Sequence, residues 1–161
     1  MNLDAFLVQA LNGLSFGALL FLLASGFTLV FGLMRIVNLA HGALYLAGGY
    51  VGIVTAVATG NFLFALLAGA LAAALLGLVS ERVLLRRVRG LELPEVLLTV
   101  GIGLVIADVA LAIFGGNPQS LTPPRWLSGA LDLGFIAYPR YRWFVIGLAV
   151  LVGVGLYFVQ N

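Results

Sequence analysis

The stretch that decides the fold is residues 36–80, IVNLAHGALYLAGGYVGIVTAVATGNFLFALLAGALAAALLGLVS. It contains no Asp, Glu, Lys or Arg, and its single ionisable side chain outside the tyrosines is His41. A helix that crosses a bilayer needs about 20 mostly apolar residues. This run is long enough for two such helices. The triplet Thr59-Gly60-Asn61 is a turn former, so the spans fall at Leu39–Ala58 and Phe62–Ser80. Upstream, the uncharged run from Ala5 to Met34 supplies a span at Val8–Phe31. Downstream, Val96–Phe114 and Trp143–Val159 supply two more. The runs are continuous and do not alternate apolar with polar residues, which argues against barrel strands. The expected fold is an all-α membrane protein of about five transmembrane helices. A discontinuous helix is expected near residues 35–42.

The rest of the 161-residue chain agrees. It is 63% apolar and 9% charged, against about 25% charge in a soluble domain, and its mean hydropathy is +1.17. Disordered segments are polar, so disorder is excluded. Cysteine is absent, which removes disulfides and thiolate metal sites. The net charge of +2 comes from eight Arg, with no Lys, against six acidic residues. That is too dilute for nucleic-acid binding.

The connections set the orientation. Residues 80–95 hold Glu81, Arg82, Arg86, Arg87, Arg89, Glu92 and Glu95. Arg82, Arg86 and Arg89 share one helical face, so a short interfacial helix is expected at the cytoplasmic surface. Residues 115–141 hold Pro118, Pro123, Pro124 and Pro139, with Trp126 and Tyr138 as interfacial aromatics. An irregular external loop is expected there. With the 81–95 loop inside, Arg35, Arg82, Arg86, Arg87 and Arg89 are internal and Arg125, Arg140 and Arg142 external. The internal excess places the N-terminus outside. Residues 1–9 contain no basic residue, so the first apolar run reads as a retained anchor rather than a cleaved signal.

Small residues recur four apart at Gly13/Gly17, Gly48/Gly52, Gly69/Ala73, Ala73/Gly77 and Gly103/Ala107. Such spacing lets helix backbones approach closely in lipid. The densest polar group in the apolar region is Arg35 to Gly42. Asn38 suits a helix N-cap, with its side-chain oxygen accepting the amide of residue 40 or 41. A helix starting at Leu39 presents free N–H groups and a positive dipole end. Below the membrane surface this resembles the broken helices of transporters; at the surface it is an ordinary capped turn. Asp108 lies within the fourth span, where a carboxylate costs about 2.5–3.5 kcal/mol on the insertion scale. It is expected to face the bundle interior or a wet cavity. Asn38, His41, Thr99 and Asp108 are therefore the candidate substrate-pathway residues. One His and one mid-span Asp do not make a recognisable nucleophile–base set. No phosphate-binding GxxxxGK[ST] pattern occurs, and no metal-ligand spacing. No catalytic residue, metal or cofactor is expected.

The run Gly26-Phe27-Thr28-Leu29-Val30-Phe31-Gly32-Leu33-Met34-Arg35-Ile36-Val37-Asn38-Leu39-Ala40-His41-Gly42 resembles the start of branched-chain amino acid ABC transporter permeases. So do Glu81-Arg82 with Arg86 and Arg89, Thr99 to Leu104, and Phe114-Gly115-Gly116-Asn117-Pro118-Gln119-Ser120. Urea and short-amide permeases share much of this pattern. A Pro usually follows the Arg corresponding to Arg86 in the family; Arg87 stands there in this chain. The resemblance implies a multi-pass permease subunit of a bacterial inner-membrane importer, with Glu81, Arg82, Arg86 and Arg89 as a cytoplasmic-loop motif. Its implied partners are a second permease subunit, two cytoplasmic ATPase subunits that hydrolyse ATP, a periplasmic solute-binding protein and the lipid bilayer. It also implies one transmembrane permease domain over 1–161, C-terminally truncated, since the family continues for roughly as long again. A non-transporting helical scaffold and an intramembrane enzyme built on His41 and Asp108 are the competing readings.

Overall fold

A computed structural model of the chain describes residues 3–34, 37–132, 134 and 136–160. Five long helices account for most of it: α1 (Leu3–Met34), α2 (His41–Thr59), α3 (Phe62–Val79), α4 (Glu92–Phe114) and α5 (Arg140–Gln160). Each is long and apolar enough to cross a membrane. The all-α, five-span fold is thus as the sequence predicts, with several spans extended by a few residues. Those helices run past the apolar runs because nothing in the flanking residues stops them. The break expected near residues 35–42 falls between α1 and α2, where Val37 and Asn38 are non-helical and Leu39–Ala40 form a turn. Arg35, one of the five arginines counted as internal, lies outside the described residues.

The chain divides into two compact units, residues 29–121 and residues 1–28 with 122–161. In the first unit, α2 and α3 are joined by the predicted turn. Gly60 closes α2 at φ +65°, with its N–H bonded to Ala56 O at 2.8 Å. That left-handed conformation favours glycine, which has no Cβ to clash. Asn61 opens α3 by accepting the amides of Leu63 and Phe64 at 2.9 and 3.2 Å. The two helices then meet along their small residues. A Cβ added at Gly69 would stand 2.6 Å from Gly48 O, and one at Gly48 would stand 2.9 Å from Gly69 O. The contact is backbone against backbone, the close approach that four-residue spacing permits.

α3 does not stop at Val79. It continues through a π-helical turn, Ser80–Leu84, and a 3-10 turn, Leu85–Arg87. The separate interfacial helix expected over 80–95 is therefore replaced by a tail on α3 and by the first turn of α4, which holds Glu92 and Glu95. The uneven winding turns Leu85 inward, where it packs with Ala40 and Ile102, flanked by Leu98 and Ile106. Arg82, Arg86, Arg87 and Arg89 do not join that core.

In the second unit, the loop after α4 is less irregular than its prolines suggest. Strands β1 (Ala130–Asp132) and β2 (Ala137–Pro139) pair antiparallel, with Leu131 opposite Tyr138. Tyr138 is not an interfacial aromatic: it is 1% exposed. Its hydroxyl donates to Asn12 Oδ1 of α1 at 3.4 Å, Arg142 donates to the same oxygen, and Trp143 packs edge-on against its ring. Trp126 is exposed. Farther along, α1 and α5 border an apolar groove of about 510 Å³ at Gly13, Gly17, Ile146 and Gly153.

Candidate functional site

The start of α2 is held from two sides. Asn38 Oδ1 accepts the Ala40 amide at 3.0 Å, the bond the sequence predicts, but Ala40 rather than Asn38 stands at the cap of α2 and that cap has no side-chain bond. Asn38 O accepts the His41 amide at 3.2 Å. The amide of Leu39 is taken by a side chain sixty residues away, Thr99 Oγ1 on α4, at 3.2 Å. Thr99 is fully buried and passes its own proton to Val96 O at 2.8 Å. Nearby, α4 passes close to the turn: a Cβ at Gly103 would make ordinary contact, 3.5 Å from Ala40 Cα. Asn38 and Thr99 thus form one joint between the 37–40 link and α4.

That joint corrects one expectation. The helix begins at His41 rather than Leu39, and the amides of Leu39, Ala40 and His41 are all bonded. These three donors are taken by Asn38 and Thr99, so they do not form an open anion-binding end.

Asn38 and His41 also line a cavity of about 180 Å³ with Leu44, Gly77, Glu81 and Leu85. Glu81 enters it from the π-helical turn. Its Oε1 accepts from Arg89 Nη2 at 2.6 Å, and its Oε2 is buried without a hydrogen-bond partner. Arg89 is 59% exposed, so this pair contributes little to stability. Glu95, one turn before Thr99, is 7% exposed, and its Oε1 also lacks a partner. Most buried polar atoms in proteins are bonded, which makes both carboxyl groups notable. The sequence puts Glu95 in a surface loop, and no local signal distinguishes it from Glu92.

Asp108 stands apart. At about 100° per residue, the nine residues between Thr99 and Asp108 place them on opposite faces of α4. Glu95, Thr99, Ile102 and Ala110 are buried, whereas Asp108 is exposed and flanked by exposed Gly101, Leu104, Val105, Leu111 and Ala112. The structure therefore joins Asn38, His41 and Thr99 in one region and leaves Asp108 on the uncovered side of the same helix. His41 and Asp108 do not share the cavity. Among the described residues, no three of His, Cys, Asp and Glu come together as a metal site needs. The Asn12, Tyr138 and Arg142 cluster was not anticipated. The only hints were an amide in an apolar helix and an arginine at the start of another.

Residues 9–160 match the family described as the permease component of branched-chain amino acid transport systems. The chain is similar to the high-affinity branched-chain amino acid transport system permease protein BraD of Pseudomonas aeruginosa. The two are 25% identical over 171 residues, covering 97% of this chain and 56% of BraD. It is also similar to the permease proteins LivH of Salmonella typhimurium and Escherichia coli. Those are 44% identical over 46 residues, covering 29% of this chain and 15% of each relative. The chain thus spans about half the length of BraD. No solved structure matches.

Proposed function

The chain belongs to the family of permease components of branched-chain amino acid transport systems, and from that premise we propose that it forms part of a path for branched-chain amino acids across a bacterial inner membrane. The observation that carries the proposal is the family match over residues 9–160 on a chain with five helices long enough to cross a bilayer. A zwitterion does not cross hydrocarbon readily, because charged groups there need a polar or watery path. Asp108 supplies a polar group on the open face of α4, and Asn38 and His41 supply others at the start of α2, on the far side of that helix. Thr99 acts from behind them by fixing the Leu39 amide.

In this reading 1–161 is part of one membrane domain with its N-terminus outside and the 81–95 segment at the cytoplasmic face. Glu81, Arg82, Arg86 and Arg89 lie at that face. The path is completed by a second permease subunit, driven by two ATPase subunits and supplied by a periplasmic solute-binding protein. The chain carries no phosphate-binding loop of its own, so the energy comes from the partners.

The test is deletion of the gene in its native host, followed by uptake of labelled leucine, isoleucine, valine and urea. Loss of leucine, isoleucine and valine uptake, restored by the gene in trans, is the expected result. Unchanged amino-acid uptake, or loss of urea uptake alone, overturns the proposal.

A further inference from the structure

The uncovered face of α4 combines two features that do not coexist comfortably in lipid. Leu97, Leu104, Val105 and Leu111 are 57–63% exposed, and all lie within about 60° of Asp108 around the helix. The carboxylate is six residues, or about 9 Å of rise, from the end of α4 at Phe114. The eight arginines stand at 35, 82, 86, 87, 89, 125, 140 and 142. None lies within α2, α4 or the described part of α1, and those of the α3 tail and α5 lie at the ends of their spans. No basic residue therefore lies within α4 to pair with Asp108 along that helix. A carboxylate within a span faces the bundle interior or a water-filled cavity. Two turns earlier on the same face, Gly101 has nothing within 4 Å of where a Cβ would stand.

We propose that the Asp108 face of α4 is the wall of a water-filled, cation-favouring path, and that Asp108 receives the ammonium group of the passing solute. The proposal rests on the permease reading above and deepens it. The apolar residues around Asp108 suit a branched aliphatic side chain, while the carboxylate pairs with the α-ammonium. The substrate's own carboxylate is repelled by Asp108, so a solute passes this level with its ammonium toward α4.

The chain has no native cysteine, which makes thiol labelling a direct test. Leu104→Cys and Val105→Cys, each about one turn or less from Asp108, are placed singly in the full chain in native-host membranes. Each is treated with a trimethylammonium or a sulfonate methanethiosulfonate of similar size. Both reagents should react, and the cationic one should be favoured about tenfold relative to its rate ratio with a free thiol, as expected for one unit charge about 5 Å away in water. Asp108→Asn should abolish the preference, and Asp108→Glu should keep it. Isoamylamine, the amine corresponding to leucine without its carboxylate, should slow the reaction, whereas isocaproate should not.

No reaction at either position shows that the face is dry and overturns the proposal. Reaction without a charge preference shows that Asp108 is not the charge of the path and overturns it equally. These readouts do not depend on uptake. If the deletion strain keeps its leucine uptake while the charge preference is present, the permease reading fails and the cation-favouring path stands for another solute.

Discussion

Adding one methyl group at Gly69 should separate α2 from α3. In the structure, the new Cβ would lie 2.6 Å from Gly48 O and 3.5 Å from Gly52 Cα. Ordinary contact begins near 3.4 Å, so the helices must part by 3.4 − 2.6 = 0.8 Å. The obstructing atom is backbone and has no rotamer to escape into. Overpacking of this kind costs about 1–3 kcal/mol, offset by about 0.5–1 kcal/mol from replacing glycine within a helix. The net loss for Gly69→Ala is therefore about 0.5–2 kcal/mol. Gly48→Ala, at 2.9 Å from Gly69 O, should be somewhat milder, and Gly52→Ala, at 3.3 Å from Ala65 O, near neutral. Gly49→Ala meets nothing within 4 Å and should be neutral or stabilising. Gly48→Ala and Gly69→Ala combined should cost less than their sum, because both act on one contact that the first has already opened. The assay is unfolding of the purified chain from dodecylmaltoside micelles by added SDS, followed by far-ultraviolet circular dichroism. Equal losses for Gly49→Ala and Gly69→Ala would refute the reasoning, as would a neutral Gly69→Ala.

The joint at the start of α2 gives a second test in the same assay. Thr99→Val leaves the Leu39 amide without its acceptor and should cost about 1–3 kcal/mol, while Thr99→Ser should remain near the parent. Asn38→Leu removes the acceptor of the Ala40 amide and should cost about 0.5–2 kcal/mol. Orientation is tested by single cysteines at Arg87 and Ser120 with an impermeant maleimide. They should label from opposite sides of the membrane, and labelling of both from outside would overturn the proposed topology.

Where the chain's periodic and compositional signals were strong, its structure was legible. Long uncharged runs define helices because backbone groups in lipid must bond within their own segment. Thr59-Gly60-Asn61 was readable as a turn because Gly60 takes a left-handed conformation and Asn61 caps α3. The bond from the Ala40 amide to Asn38 was readable for the same local reason, but α2 opens at His41 with Ala40 at its cap, so Asn38 closes the turn before the helix rather than capping it. What escaped were facts that depend on distant partners. Nothing near Thr99 announces that its hydroxyl accepts the amide of Leu39, and nothing near Tyr138 announces that Asn12 awaits its hydroxyl. The arginine spacing at 82, 86 and 89 suggested a regular helix. It missed the π-helical turn and the inward-facing Leu85, whose partners Ala40 and Ile102 are distant in sequence. Asp108 was identifiable as unusual from its depth alone, but only the packing of α4 shows which face carries it.

The π-helical turn Ser80–Leu84 has one residue more than an α-helical turn would use, and so it works as a phase shifter. Each residue advances the chain by about 100° around the axis. Rewinding the same residues at regular α-helical pitch would turn that extra residue into a further rotation of roughly 100°. Everything after it would then be rotated. Leu85 would swing away from Ala40 and Ile102, and Arg89 would lose its angle on Glu81. The direction in which the basic segment points is thus set by how one turn is wound, and a substitution of any one arginine would leave that direction untouched.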